Sequence, residues 1–257
     1  MRLVSINCIE KGMILGKTLY NTNGDVLLAR GIVLEEFYIE KIKKMNISSL
    51  YIDDEISKNI EVKDVIDNEL RNKAVVSIKN MFIKSDRPQF GSHFQDINKL
   101  VEMIIEEILN NQECLLSIID LKLFDEYTYY HSVNVAVLSI AMGIGLKLDN
   151  EHLKYLGMGA ILHDFGKCFT NINILNKNGK LTDTEFDIIK KHPRDGYDFL
   201  REKLNLPSHS SMVILQHHEK WNGKGYPLGR SKEDINDLAR IVSVADVYDA
   251  LTSDRPY

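Results

Sequence analysis

Eight histidines lie in the 257 residues, and their neighbours say more than their number. The second half of the chain holds His131, the adjacent pair His163-Asp164, His192, the pair His217-His218 and Asp246. Imidazole and carboxylate together suit Fe, Mn, Zn or Ni, whereas carboxylates alone would favour Mg or Ca. Two such ions about 3.5–4 Å apart can hold a bridging hydroxide and clamp a phosphoryl group for in-line attack. Adjacent helical residues point about 100° apart. His163 and Asp164 therefore cannot share one narrow slot, but they can straddle a cavity, with the Asp164 carboxylate bridging two ions. Lys167 follows His163 by four residues and Asp164 by three, and faces the same cavity if the helix continues. A cation there suits a phosphate oxygen and equally an ion pair with Asp164. A lone histidine is more often structural than a ligand; an ordered series with two adjacent pairs is a different case.

Most of these residues fall near a helix end or beside a loop, where side chains from several helices can converge on one pocket. Helices are expected over Tyr127–Leu146, Glu151–His163, Thr182–Lys191, Asp195–Arg201, His209–His217 and Asp234–Leu251, between loops holding Gly and Pro. No strand series interrupts them, so 121–257 reads as an all-α domain. The stretch 56–120 is a helical connector with a break at 85–91, and Leu100–Leu109 sets apolar residues opposite glutamates. Residues 1–55 read as a small α+β module: a turn at 21–25, a strand at 25–31, a helix at 35–45 and a closing strand at 49–53. It holds no metal or catalytic cluster. The Asp53-Asp54 pair invites a phosphoacceptor reading, but the segment is too short for that fold's βα repeat. The fold class is mainly α, an all-α domain behind a small α+β module.

Composition is that of an ordinary soluble protein, 44% hydrophobic and 27% charged. A net charge of -5 gives no basic field for long DNA or RNA, although bound metal ions can supply local positive charge for a small anion. Cys8, Cys114 and Cys168 are too few and scattered for a disulfide framework, and no CxxC pair points to a zinc ribbon. The N-terminus turns polar after one basic residue, unlike a signal peptide. The longest apolar stretch, Val133 to Leu146, is broken by Asn134 and Ser139 and falls short of the roughly 18 residues of a membrane span. It reads as a core helix, and the cytoplasm is the expected location.

Several segments resemble the signature of HD-GYP domains: Leu162-His-Asp-Phe-Gly-Lys167, His192-Pro193, His217-His-Glu-Lys-Trp-Asn-Gly-Lys-Gly-Tyr-Pro227 and Val244-Ala-Asp-Val-Tyr-Asp-Ala-Leu-Thr-Ser-Asp-Arg-Pro-Tyr257. Tyr127-Thr-Tyr-Tyr-His-Ser-Val-Asn-Val135 upstream joins them, so the resemblance covers roughly Leu121 to Tyr257. A bare His-Asp dyad is common to many HD phosphohydrolases; the dyad followed by His-His-Glu and an intact Gly225-Tyr226-Pro227 is specific. The resemblance implies that His131, His163, Asp164 and Asp246 hold one metal, with Asp164 bridging to a second held by His192, His217 and His218. It implies two divalent transition-metal ions, Fe or Mn, with Asp164 and Lys167 as catalytic residues. Gly225, Tyr226, Pro227 and Arg255, together with Lys167, match positions used around the substrate. That substrate is the cyclic dinucleotide cyclic di-GMP, opened to linear pGpG and sometimes cut on to GMP.

The chain departs from the family pattern in three places. Some members carry a glutamate four residues before the first histidine ligand, helping to hold a third metal. Here Tyr127 stands there, with Glu126 one residue out of step, which favours two metals. Asn222 replaces a usual aspartate that is not a ligand. The pattern normally continues past Arg255-Pro256-Tyr257, so the domain is expected to be shortened at its C-terminus. Residues 9–13 and 24–31 are similar to a module often found before such domains, for which a regulatory or homodimer-forming role is the hypothesis. The alternatives are a non-catalytic cyclic di-GMP receptor, a module binding a signalling partner through the Gly-Tyr-Pro loop, and an HD phosphohydrolase acting on another nucleotide.

Overall fold

The computed structural model describes residues 1–21, 24–45, 47, 49–60, 62, 64–83, 90–111, 127–177 and 179–252. Short alternating stretches near the start form strands β1 (Arg2–Ser5), β2 (Ile14–Leu15), β3 (Leu19–Tyr20) and β4 (Val26–Leu28), followed by helix α1 (Glu36–Lys44) and β5 (Ser49–Asp53). β5 is central in an antiparallel sheet ordered β1-β5-β2, while β3 and β4 pair separately. Alternation along β5 turns Leu50 and Ile52 into a core with Leu15, Leu34 and the α1 residues Ile39 and Ile42. The expected strand, helix and closing strand are all present within a residue or two, except that the strand at 25–31 narrows to Val26–Leu28. Asp54 accepts the Ser57 N–H at 2.9 Å and pairs with Arg2 Nε at 2.8 Å, and Asp53 lies 3.3 Å from the N-terminal ammonium. Both aspartates thus have structural partners.

A helical body follows: α2 (Asn68–Ile83), α3 (Phe90–Asn110), α4 (Tyr127–Gly145), α5 (Asn150–Ile161), α6 (Ile172–Leu175), α7 (Asp183–Ile189), α8 (His192–Leu204), α9 (Ser208–Gln216) and α10 (Asp237–Thr252). The connector helices α2 and α3 bury Val75, Ile78 and Met81, and Ile97, Val101 and Ile104, in the same core as α4, α5 and α9. Along α3, Glu106 is exposed while Glu102 and Glu107 are half-buried, as the amphipathic pattern requires. α4 is buried throughout His131–Ala141 because α2, α3, α5 and α10 pack against it. Among the described residues, no helix is long and apolar enough to cross a membrane.

Several boundaries differ from the sequence expectation by up to three residues, and two of them shape the site. α5 stops at Ile161 instead of His163, and after the dyad the chain enters a 3-10 segment, Phe165–Phe169. α8 begins at His192 instead of Asp195, with Pro193 in its first turn. A backbone-to-backbone contact lies between these two boundaries. A Cβ on Gly166 would lie 1.9 Å from the His192 carbonyl oxygen, and one on Gly196 would lie 2.9 Å from the Gly166 nitrogen. Two glycines facing each other let the first turn of α8 abut the segment after the dyad, which carries His192 to Asp164.

Candidate metal centre

Five parts of the helical body contribute. α4 supplies His131, the end of α5 supplies His163 and Asp164, α8 begins with His192, the end of α9 supplies His217 and His218, and α10 supplies Asp246. The starts of α4 and α8 and the ends of α5 and α9 meet the middle of α10, where His163 and His192 are 0% exposed and Asp164 and His217 1%. Such burial is costly for polar groups unless each finds a partner.

Three histidines are oriented in the same way. Nδ1 of His163 donates to the Ala160 carbonyl at 2.7 Å, that of His192 to Ile189 at 2.7 Å, and that of His217 to Ile214 at 2.8 Å. Each bond reaches back three residues and fixes the proton on Nδ1, so in the neutral ring Nε2 offers a lone pair to the cavity. His163 Nε2 is buried with no hydrogen-bond partner, and so is Asp164 Oδ1. The Nε2 atoms of His192 and His217 face each other at 3.2 Å. Two lone pairs at that distance repel unless a cation or proton lies between them. These unsatisfied acceptors fit a metal ion.

Asp164 sits between the two sets. Its Oδ1 is 3.3 Å from His192 Nε2 and 4.0 Å from His217 Nε2, while Oδ2 is 3.4 Å from His163 Nε2 and 3.9 Å from His131 Nε2. Two tight groups of potential ligand atoms result, His131-His163-Asp164 and Asp164-His192-His217-His218, with Asp164 common to both. Asp246 lies just outside them, with Oδ1 3.1 Å from His131 Nε2 and Oδ2 3.8 Å from His218 Nδ1. All seven residues expected as ligands are therefore brought together.

Electrostatics favour the metal-binding protonation states of Asp164, Asp246, His217 and His218, but not of His131. Burial opposes the Asp164 charge, but Lys167 and His163 outweigh it and hold the carboxyl well below its usual range. Burial also opposes ionisation of Asp246, yet the His131 hydrogen bond brings it to about 2. Burial and the surrounding histidines push His217 well below its usual value, and burial and His192 bring His218 to about 3. Burial lowers His131 too, but hydrogen bonds to Asp246 and Asp249 prevail and raise it to about 9. A positive charge is thus favoured between those carboxylates.

Lys167 Nζ lies 2.5 Å from Asp164 Oδ2. The helix does not continue to Lys167, but the 3-10 segment restores the three-residue spacing that brings the two together. In the Gly-Tyr-Pro loop, a Cβ on Gly225 would lie 2.3 Å from the Lys220 nitrogen and 2.5 Å from the His218 carbonyl oxygen. That close approach lets the Tyr226 N–H donate to the His218 carbonyl at 3.2 Å. The Tyr226 ring lies over the His218 ring, centroids 4.7 Å apart, and the peptide to the half-buried Pro227 is cis. Asn222 Oδ1 accepts the Lys224 N–H at 3.0 Å on the surface. Arg255, Glu126 and Cys114 lie outside the described residues, and of Tyr127 only the backbone is described.

Glu219, Asp249 and Asn134 have no role assigned from the sequence alone. Glu219 is buried, and its two oxygens accept the N–H groups of Leu228 at 2.6 Å and Arg230 at 2.9 Å, clamping the Gly-Tyr-Pro loop. Asp249 lies 2.7 Å from His131 Nδ1 and accepts from Asn134 Nδ2 at 3.1 Å. The available signals were position only: Glu219 follows the histidine pair, and Asp249 lies one helical turn beyond Asp246.

A sequence profile of the HD domain family matches residues 80–257. The chain is 45% identical over 158 residues to cyclic di-GMP phosphodiesterase PA4108 of Pseudomonas aeruginosa, a match covering 62% of this chain and 38% of that protein. It is 35% identical over 156 residues to 3'3'-cGAMP-specific phosphodiesterase 1 of Vibrio cholerae, covering 60% of this chain and 35% of the relative. The matched regions span little more than a third of either relative. Among solved structures, Bd1817, a HDG"Y"P protein from Bdellovibrio bacteriovorus, aligns with a TM-score of 0.65 at 20% identity, over 97% of this chain and 87% of that one. That likeness concerns the fold. The profile match runs through the dyad, the His-His-Glu run and the Gly-Tyr-Pro loop alike, and the chain belongs to the HD domain family.

Proposed function

We propose that this chain is a metal-dependent phosphodiesterase that hydrolyses cyclic di-GMP to pGpG, with further cleavage to GMP as a second step. His131, His163, Asp164 and Asp246 would hold one divalent transition-metal ion and Asp164, His192, His217 and His218 another, Fe or Mn in each case. The observation that carries this reading is the Asp164 carboxylate, which turns Oδ1 to His192 at 3.3 Å and Oδ2 to His163 at 3.4 Å. Metal ions held there would supply Lewis acidity toward a phosphate oxygen and lower the pKa of a water.

The chain's own groups account for the rest. Asp164 stays ionised despite its burial, because Lys167 and the histidines favour the charge. The Lys167 side chain is 28% exposed and its ammonium sits on the Asp164 carboxylate, where it would stabilise non-bridging oxygens as negative charge shifts onto them. Burial, reinforced by Asp164 and Asp246, pushes the Tyr226 hydroxyl well above its usual range, keeping it a hydrogen-bond donor beside the phosphate. Glu219 and Gly225 hold the loop that presents Tyr226, and Arg255 adds a substrate contact by family resemblance. The proposed setting is the cytoplasm.

The Pseudomonas relative's name supports cyclic di-GMP, and the Vibrio relative's name keeps 3'3'-cGAMP as a second substrate reading. The test is anaerobic incubation of the protein with each cyclic dinucleotide, with and without Mn(II) or Fe(II), followed by chromatography. Metal-dependent pGpG from cyclic di-GMP at the higher kcat/KM is expected. Preference for 3'3'-cGAMP would shift the substrate, and both dinucleotides surviving beside metal-loaded protein would overturn the reading.

A further inference from the structure

The histidines of this site are not supported alike. His163, His192 and His217 each rest Nδ1 on a backbone carbonyl three residues earlier. His131 instead rests Nδ1 on a buried carboxylate, Asp249 Oδ2, at 2.7 Å. Asp249 is 3% exposed, and its other oxygen accepts from Asn134 Nδ2 at 3.1 Å. Asn134 lies one turn along α4 from His131, and Asp249 one turn along α10 from Asp246. The His131 ring is therefore gripped between two carboxylates of one helix, Asp249 at Nδ1 and Asp246 Oδ1 at Nε2, 3.1 Å away.

This arrangement has a chemical consequence. A hydrogen bond to a carboxylate is stronger than one to a neutral carbonyl, and it makes the opposite ring nitrogen a better donor to a metal. The His131 side gathers Asp164, Asp246 and, through the ring, Asp249. The His192, His217 and His218 side has the shared Asp164 and three imidazoles. A buried carboxylate with a histidine and an amide as its partners is costly to keep. A cation on the far side of the His131 ring offsets that cost.

We propose that Asp249, held in place by Asn134, is a positioning residue that orients and strengthens His131 and so makes the His131-His163-Asp164-Asp246 side the tighter of two metal positions. The inference rests on the metal-centre part of the proposed function and is independent of the substrate. A plain packing role for Asp249, joining α4 to α10, would lower overall stability without distinguishing the two positions.

The experiment is equilibrium dialysis of the full chain against Mn(II), with bound metal counted and followed by electron paramagnetic resonance. It compares wild type, Asp249→Asn, Asn134→Ala, and His217→Ala with and without Asp249→Asn. The wild type should bind two ions with unequal affinity. Asp249→Asn should weaken the tighter ion by ~10–100-fold, the range for a lost outer-shell partner, and leave the other within about twofold. In the His217→Ala background, Asp249→Asn should weaken the remaining ion by the same factor. Asn134→Ala should produce a smaller loss on that ion, and it carries the test if Asp249→Asn fails to fold. Equal weakening of both ions, no change in either, or two equal ions in the wild type would overturn the inference. Two unequal Mn(II) ions beside intact cyclic di-GMP would sink the substrate reading and leave the inference standing.

Discussion

The N-terminal module and the helical body handle charge in opposite ways. Among the described residues of 1–53, the buried side chains are apolar or aromatic, and charges pair outside the core, as with Lys11 and Glu35 or Arg2 and Asp54. The helical body buries His131, His163, Asp164, His192, His217, Glu219 and Asp249. Well-packed apolar residues in their place would often leave such a protein as stable or more so. The difference teaches that the module's interior is built for folding, while the body bears a desolvation cost at one place for what it binds there.

The comparison breaks first at His163. His163→Ala should bring cyclic di-GMP turnover down to the metal-free background and lower the metal content, with the module's fold intact. An unchanged rate would contradict the assignment. Leu15 is 0% exposed in the module core. Leu15→Ala should cost about 2–5 kcal/mol through transfer and cavity terms, read by denaturant unfolding, and leave metal content unchanged below the transition. Loss of metal in that variant would show that the two regions are not independent. Gly225→Ala sharpens the contrast within the body itself. Its Cβ meets backbone atoms at 2.3–2.5 Å, so the loop must shift at a cost of about 1–3 kcal/mol. The expected readout is a higher KM with unchanged metal stoichiometry.

The smallest effect belongs to the exposed turn leading into α7. A hydrogen bond from Lys177, helped by the Thr182 N–H, lowers the Glu185 carboxyl from 4.5 to about 2. A depressed carboxyl contributes stability above its unfolded value and loses it as pH falls through the folded one. The melting-temperature gap between metal-free wild type and Glu185→Gln should therefore hold above pH 4.5 and close toward pH 2. A gap that widens on acidification would contradict this.

Much of the site was legible because ligand types and the motifs around them are local. The apolar stretch 133–146 announced a core helix, and α4 is one. Pairings between distant segments were not legible. Asp249 serves His131, 118 residues away in sequence, and only the packing of α4 on α10 reveals it. Glu219 finds its acceptor role through a loop that folds back nine and eleven residues later. The Gly166–Gly196 contact that follows the stop of α5 at Ile161 joins segments thirty residues apart, which helical periodicity does not encode. The connector's apolar face was visible in the sequence; its burial in the same core as the ligand-bearing helices required the tertiary structure.

The most direct test of the central claim compares wild type with Asp164→Asn, measuring bound metal and cyclic di-GMP turnover on the same anaerobic sample. The account predicts two metals and metal-dependent pGpG for the wild type. It predicts lower metal content and no turnover for the variant, because one carboxylate serves both positions. Undiminished metal and turnover in Asp164→Asn would contradict it.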